Sequence, residues 1–129
     1  MSAPDALKGA ARAITQEQLR AYADASGDHN PLHLDPAYAA ETMFGRPIAH
    51  GMLVLAFISA MMTDAFGERW LESGSLRVRF RAPVYPGDTV QAAATKRSEE
   101  DGVVHYDAAV RNQDGQAVID GQASVGAAR

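Results

Sequence analysis

Hydrophobic positions follow a helical period in the first half of the chain and an alternating period in the second half. After Thr15 the apolar side chains recur at a spacing of three or four residues, which is typical of a helix with one buried face: Leu19, Tyr22 and Ala23. Thr15 and Gln18 have the spacing of a capping box, and Gly27 is a typical residue just past a helix end. The pattern predicts a helix from Thr15 to about Ser26.

The most apolar part of the chain predicts a helix at the centre of the fold. Between Met52 and Phe66 the only polar side chains are those of Ser59, Thr63 and Asp64. A helix that is apolar on every side is normally enclosed by the rest of the protein. A membrane span is the competing interpretation, but the run is shorter than the ~20 residues that cross a bilayer, so we expect no membrane insertion.

Alternating patterns after this helix predict four strands, at residues 75–81, 89–98, 103–111 and 116–125. The turn dipeptides Asp101-Gly102 and Asp114-Gly115 separate the last three. Within the second and third strands the residues predicted to face inward are Val90, Ala92, Ala94, Val104, Tyr106, Ala108 and Val110. Helices followed by consecutive hairpins predict an α+β domain in which an antiparallel sheet wraps the long apolar helix.

Three shorter segments complete the expected fold. Residues 1–10 are predicted to be a loose lead-in, and Arg12 to Ile14 a short strand. Asp35-Pro36 has the pattern of a helix start, with Asp as N-cap and Pro at the first helical position, so a short helix is expected to reach about Met43.

Composition and charge limit the functional classes. A chain of 129 residues fits one domain, 1–129, and 47% hydrophobic with 22% charged residues is ordinary for a globular protein. The absence of cysteine excludes disulfides, thiol catalysis and thiolate zinc sites. A net charge of -4 argues against general nucleic-acid binding. The N-terminal residues lack the apolar stretch of a signal peptide, so we expect a cytoplasmic protein.

The segment from Ser26 to His33 holds most of the candidate chemistry. It places Asp28, Asn30 and two imidazoles within eight residues. Because Pro31 lacks an amide proton and its neighbours favour turns, we predict a shaped loop rather than a regular helix. The alternative interpretation is a helix C-cap followed by an ordinary turn.

Three motifs carry a resemblance to a known family. They are Gly27-Asp28-x-Asn30-Pro31-x-His33, Arg46-Pro47-Ile48-Ala49-His50-Gly51-Met52-Leu53 and Phe80-x-Ala82-Pro83-Val84-x-x-Gly87-Asp88. Together they resemble the MaoC-like, or (R)-specific enoyl-CoA hydratase, family of hot-dog proteins over residues 12 to 126. The resemblance implies a hot-dog fold, a homodimer or dimer of dimers that joins two sheets, and an acyl-CoA thioester bound in a tunnel near the interface.

The resemblance also assigns roles by position. Asp28 and His33 match the catalytic pair and Asn30 a supporting residue. Gly51 matches the glycine whose amide binds the thioester carbonyl, and Ser59 a serine that holds a neighbouring group. Pro31, His50 and Met52 are expected to contact substrate.

The implied reaction adds water across the double bond of a 2-enoyl thioester or removes it from a 3-hydroxyacyl thioester. It needs a base for water, an acid for the α-carbon and a donor for the developing oxyanion. Asp28 with His33 provides the first two, and Gly51, at the N-terminal end of a helix, provides the third. No cofactor is expected, since CoA is part of the substrate.

Alternatives exist for each of these residues. A buried His33 is more often a hydrogen-bonded core residue, and His50 can simply hold the turn before the helix. Ser59 can bond to the carbonyl four residues earlier. Pro31 between His29 and His33 excludes the helical geometry of a metal-binding pair, so no metal is expected.

Two rival functions remain for the whole chain. The first is a hot-dog thioesterase, which often carries a carboxylate in or near the central helix; residues 50–63 contain no Asp or Glu. The second is a non-catalytic acyl-CoA-binding subunit, against which the presence of both Asp28 and His33 argues. Three arginines, Arg77, Arg79 and Arg81, form either a solvated strand face or a contact for CoA phosphates.

Overall fold

The computed structural model describes residues 3–126 of the chain. In chain order its elements are β1 (Ala6–Lys8), β2 (Arg12–Ala13), α1 (Gln16–Ser26), α2 (Pro31–Leu34), α3 (Pro36–Ala40), α4 (Gly51–Phe66), α5 (Glu68–Ser73), β3 (Ser75–Phe80), β4 (Thr89–Glu100), β5 (Val103–Arg111) and β6 (Ala117–Val125). The predicted order of helices followed by hairpins is confirmed, and with it the α+β class.

An antiparallel sheet with the strand order β1-β4-β5-β6-β3 forms one layer, and β2 pairs with β4 beside it. The residues predicted to face inward on β4 and β5 are all buried: Val90, Ala92, Ala94, Val104, Tyr106, Ala108 and Val110. These side chains belong to one core cluster that also contains residues of α4. Strand alternation was therefore read correctly from the sequence.

Helix α4 lies against this sheet with one side buried, through Val54, Ile58, Met61 and Met62. Its opposite side is open, and the side chain of Met52 is 58% exposed. The expectation that the rest of the chain encloses the whole helix is therefore wrong for the single chain, because one sheet covers only one side of a helix. Among the described residues no helix is both long and apolar enough to cross a membrane.

The N-terminal lead-in is a second correction. Residues Ala6 to Lys8 form β1, which pairs with β4, and the buried hydroxyl of Tyr106 donates to the carbonyl of Pro4 at 2.8 Å. A three-residue strand is too short to show an alternating pattern, so its pairing with β4 was not visible in the sequence. Residues 1 and 2 lie outside the described part.

The helix ends follow local signals closely. Thr15 caps α1 with both bonds of the capping box, at 3.1 and 3.2 Å, and Gly27 ends it in the left-handed conformation with φ 80°. Asp35 caps α3 through the amides of Ala37 and Tyr38. Helix α3 ends at Ala40 rather than near Met43 as predicted.

Two helices were not predicted. Helix α2 is a single turn that begins at Pro31, where a loop was expected; proline is compatible with the first helical position because that amide has no intrahelical partner. Helix α5 follows Gly67, whose φ of 57° turns the chain after α4. Its Trp70 is buried against the core.

Candidate active site

The end of α1 presents the carboxylate of Asp28. The left-handed Gly27 turns the chain, and the amide of Asp28 donates to the hydroxyl of Ser26 at 3.2 Å. One carboxylate oxygen, Oδ1, accepts from the amide of Asn30 at 3.2 Å. The other oxygen, Oδ2, is thereby directed to His33, and the side chain remains 53% exposed.

The short helix α2 presents His33. Asn30 caps this helix, since its side-chain oxygen accepts from the amide of Leu32 at 2.9 Å. The His33 side chain is only 11% exposed, and its Nδ1 lies 2.7 Å from the carbonyl oxygen of Ile48. Because a carbonyl only accepts, Nδ1 carries the hydrogen and Nε2 is left with a free lone pair when the ring is neutral.

Asp28 and His33 converge without touching. The distance from Nε2 of His33 to Oδ2 of Asp28 is 4.0 Å, which is too long for a direct hydrogen bond. A polar gap of this size is suited to a bridging water. An oxygen about 2.8 Å from both atoms would see them at an angle of roughly 90°, an acceptable geometry for two hydrogen bonds.

His50 lies directly behind this pair. Its ring is stacked on that of His33, with centroids 3.9 Å apart and planes 26° apart, and its Nε2 donates to the carbonyl oxygen of Asp28 at 3.0 Å. Burial lowers the pKa of His50, although its bond to the Asp28 carbonyl opposes that effect. The exposed His29 points elsewhere and contacts Asp24 at 3.0 Å, and this hydrogen bond raises the pKa of His29.

Gly51 opens helix α4 beside the pair. The amides of Leu53 and Val54 donate to the carbonyl of His50, at 3.1 and 3.3 Å. The amides at the very start of a helix, here beginning with that of Gly51, have no acceptor within the helix. A Cβ on Gly51 would lie 2.8 Å from the ring of Phe80. The absence of a side chain thus allows both the contact with Phe80 and close approach to the helix amides.

A cavity of about 310 Å³ adjoins these groups. Its lining residues are His33, Phe44, Ile48, Ala49, Gly51, Val54, Phe80, Arg81, Ala82, Pro83, Val84 and Ile119. The lining is mainly apolar, with the His33 imidazole, the Arg81 side chain and the helix N-terminus as its polar groups, as expected of a site for a small organic substrate. His33 and Gly51 therefore face one volume, and Asp28 adjoins it through His33.

The other predicted site residues have different positions. Pro31 starts α2 and Met52 is exposed on the first turn of α4, and neither belongs to the lining of this cavity. Asn30 supports Asp28 through its backbone amide, whereas its side chain caps α2. Ser59 lies two turns along α4 from Gly51 and accepts a hydrogen bond from Nε1 of Trp70 at 3.0 Å.

One of the three arginines reaches the cavity. Arg81 lines it, and its Nε donates to Asp120 at 2.9 Å. Arg77 and Arg79 are exposed on strand β3. Arg81 therefore places a positive charge, partly balanced by a neighbouring carboxylate, beside an otherwise apolar site.

Asp28, His33 and His50 together offer three potential metal ligands within 4.8 Å of one another. However, a metal bound by imidazole lies close to the ring plane, in the direction of the nitrogen lone pair. Two rings stacked 26° from parallel cannot both direct a lone pair at one nearby ion without turning. The two nitrogens bonded to carbonyls are also unavailable. The arrangement fits an acid–base pair better than a metal centre.

Several contacts within this site were not predicted from the sequence. The Ile48 carbonyl that fixes His33 is a backbone group, for which side-chain identity gives no signal. Phe44 and Phe80 line the cavity from distant parts of the chain. The second motif indicated that His50 belongs to the site. It did not indicate that His50 contacts Asp28 and His33.

Comparisons with known proteins identify the family of the chain. The family model of the MaoC-like domain matches residues 4–117. Over 114 residues the chain is 35% identical to the (R)-specific enoyl-CoA hydratase of Aeromonas caviae, with 84% of this chain and 82% of the relative covered. Over 118 residues it is 36% identical to the mitochondrial 3-hydroxyacyl-[acyl-carrier-protein] dehydratase of Arabidopsis thaliana, with 88% and 70% covered.

Solved structures show the same fold. The (R)-hydratase from A. caviae involved in PHA biosynthesis superposes with a TM-score of 0.84 at 27% identity, covering 99% of this chain and 98% of that one. The unliganded R-hydratase from Pseudomonas aeruginosa gives 0.83 at 32% identity, covering 98% and 82%. The predicted hot-dog fold, with a central helix against an antiparallel sheet, is confirmed.

Proposed function

Because the chain belongs to the MaoC-like family, we propose that it is a hydro-lyase acting on 2-enoyl and (R)-3-hydroxyacyl thioesters of CoA. The observation that carries this proposal is the convergence of Asp28 and His33, whose facing atoms are 4.0 Å apart, next to a cavity that both His33 and Gly51 line. If this segment were only a solvated turn with a hydrogen-bonded core histidine, nothing would require the free Nε2 of His33 and the free Oδ2 of Asp28 to face each other.

In the hydration direction, one water lies between Oδ2 of Asp28 and Nε2 of His33. The pair takes a proton from this water as its oxygen bonds to the β-carbon, and delivers a proton to the α-carbon. Because Ile48 holds the hydrogen on Nδ1, Nε2 of His33 is the nitrogen that exchanges protons. Dehydration is the reverse sequence, with the same groups in exchanged roles.

Negative charge develops on the thioester oxygen during the reaction. We assign its stabilisation to the amide at Gly51, which lines the cavity at the N-terminal end of α4, where the helix dipole also favours negative charge. The apolar lining around Val54 and Ile119 accommodates the acyl group and keeps the local dielectric low. The chemistry uses only groups of this chain, so no cofactor is proposed, and protein treated with a chelator should retain its turnover.

We further propose that the working form is a homodimer. The strand β3 is at one edge of the sheet, and an edge strand presents unpaired backbone groups to a partner. Two large apolar side chains near the cavity are exposed in the single chain, Met52 at 58% and Phe80 at 56%. A second copy would cover these side chains. Light scattering in dilute solution should give a mass of twice the 13.7 kDa of one chain, or a multiple of the dimer mass.

A cytoplasmic location of the protein stays a prediction.

One assay tests the activity against its rivals. The protein is incubated with crotonyl-CoA while the absorbance of the enoyl thioester and the release of free thiol are followed together. Loss of the enoyl absorbance without thiol is expected. Release of thiol would indicate a thioesterase, and binding without either change would indicate a non-catalytic subunit; both outcomes contradict the proposal.

A further inference from the structure

Among the described residues, His50 is the one polar or charged residue that is buried, with 2% of its surface exposed. Burying a polar ring is unfavourable unless hydrogen bonds compensate. Its Nε2 donates to the carbonyl of Asp28 at 3.0 Å. One neighbouring ring is that of His33, and the other is that of Tyr22, with centroids 4.8 Å apart. The contacts of His50 are thus with both members of the acid–base pair.

The hydrogen bonds of His50 fix its protonation state. The Asp28 carbonyl can only accept, so the hydrogen is on Nε2 and Nδ1 is bare in the neutral ring. Within residues 3–126, Nδ1 is the buried side-chain polar atom that has no hydrogen-bond partner. Protonating Nδ1 would bury a charge and a donor with no acceptor, which disfavours the cation. The titratable side chains that influence the pKa of the His50 ring are Asp28, His33 and His29.

One short segment holds His33 from two directions. Residues 48–50 lie directly before α4, and the amide of Ala49 donates to the carbonyl of Val84 at 2.7 Å. From this segment the Ile48 carbonyl holds the edge of the His33 ring, and the His50 ring covers its face. The same ring holds the main chain of Asp28. Moving His50 would therefore disturb both sides of the 4.0 Å gap together.

We propose that His50 is a positioning residue, a neutral imidazole that sets the main chain of Asp28 and the ring plane of His33 without touching substrate. This inference rests on the proposed function only for its kinetic readout. It differs from a substrate-binding role for His50, because the ring does not belong to the lining of the cavity. It differs from an acid–base role, because the exchangeable hydrogen of Nε2 is bonded to a backbone carbonyl.

Two variants separate the contributions of the ring. His50→Gln keeps an N–H donor at similar reach and loses the aromatic face, whereas His50→Phe keeps the face and loses the donor. We expect His50→Gln to retain kcat within about tenfold and His50→Phe to lose about 10²-fold, since displacements near 1 Å cost that much. KM should stay within about twofold for both, because neither change touches the cavity lining. His29→Gln, an exposed neighbour, is the matched control and should have unchanged kinetics.

The pH dependence of kcat separates positioning from acid–base catalysis. An acid–base pair gives a bell-shaped plot of kcat against pH, with one limb on the acidic side and one on the basic side. Both variants should keep these two limbs, as in the unsubstituted protein. Loss of a limb, or kcat in His50→Gln as low as in His33→Ala, would overturn the inference, as would full activity in His50→Phe. Should His50→Phe fail to fold, His50→Asn replaces it, because its shorter amide cannot reach the Asp28 carbonyl, and the same loss of kcat is expected.

A measurement independent of activity tests the neutral state. Nitrogen-15 spectra of the histidine rings should show one Nε2–H tautomer for His50 from pH 5 to 9, while His29 titrates. Protonation of His50 near the ordinary value of about 6.5 would contradict the inference even in an active enzyme. If the crotonyl-CoA assay showed no hydration while this tautomer persisted, the proposed function would fail and the structural role of His50 would stand.

Discussion

The two halves of helix α4 belong to one largely apolar run but have opposite roles. At the N-terminal end, Gly51 adjoins an open cavity and the helix amides are accessible. Beyond the C-terminal end, α5 returns along the helix, and Nε1 of Trp70 donates to the hydroxyl of Ser59 in the middle of α4. The N-terminal end has no side chain at Gly51, whereas α5 packs against the C-terminal half. The difference shows that helical pattern alone does not distinguish a reactive end from a structural one; the neighbouring elements do.

The largest expected effect is loss of the acid–base pair at the open end. Asp28→Asn and His33→Ala should each lower kcat by about 10²- to 10⁴-fold, because each removes a proton-transfer group. The circular dichroism spectrum should be unchanged. The control is Asp24→Asn, a carboxylate near the end of the same helix whose side chain is 81% exposed and bonded to His29. Near-normal turnover in either pair variant would contradict the assignment of the site.

A smaller loss is expected from bulk added at the helix N-terminus. In Gly51→Ala the new Cβ would lie 2.8 Å from the ring of Phe80 and next to the amide assigned to the thioester oxygen. We expect kcat/KM to fall about tenfold or more, below the effect of deleting a donor outright. The double variant with Phe80→Ala removes the clash with the ring. Recovery of full activity in the double variant would show that displacement of Phe80, and not access to the amide, caused the loss.

The closed end should respond in stability rather than in turnover. Ser59→Ala leaves the largely buried N–H of Trp70 without its acceptor, so we expect a loss of about 1–3 kcal/mol in the free energy of unfolding. Trp70→Phe is the matched comparison, because it removes the donor instead. Chemical denaturation measures both. A fall in kcat of more than about twofold in folded Ser59→Ala would instead favour the supporting role in the active site that the resemblance implied for this serine.

The smallest expected effect is in the pH dependence of stability. Burial lowers the pKa of His50 in the folded protein, so the unfolded chain binds this proton more readily. Stability should therefore fall as pH drops below about 6.5, and this contribution should level off below the folded pKa. The difference in unfolding free energy between the unsubstituted protein and His50→Gln, measured from pH 8 to pH 5, isolates it. A difference that is constant with pH would contradict the lowered pKa.

Several features were readable without the fold because they depend on neighbours in sequence. The capping box at Thr15 and Gln18 is satisfied within one turn of helix, so residue type and spacing suffice. The alternation of β4 and β5 follows from the two-residue repeat of a strand. The motif around Asp28 and His33 indicated a site because both side chains project from one bend of the chain.

Other features depended on contacts between distant segments. The pairing of β1 with β4 and the single turn α2 were missed because each is too short for a periodic pattern. The expectation of a fully enclosed α4 was wrong because enclosure depends on what covers the second side of the helix. The assignment of Ser59 to the neighbourhood of Trp70, 11 residues away, required the turn at Gly67.

The sequence by itself determined the α+β class and the strand faces, and it singled out Asp28 and His33 as the candidate acid–base pair, because periodicity and local motifs are properties of consecutive residues. Only the tertiary structure decided the 4.0 Å separation of Asp28 and His33, the carbonyl that fixes the proton on His33 and the burial of His50 against both. These depend on the path of residues 48–50 across the site. Distances between groups on different segments are set by packing, and no local pattern encodes them.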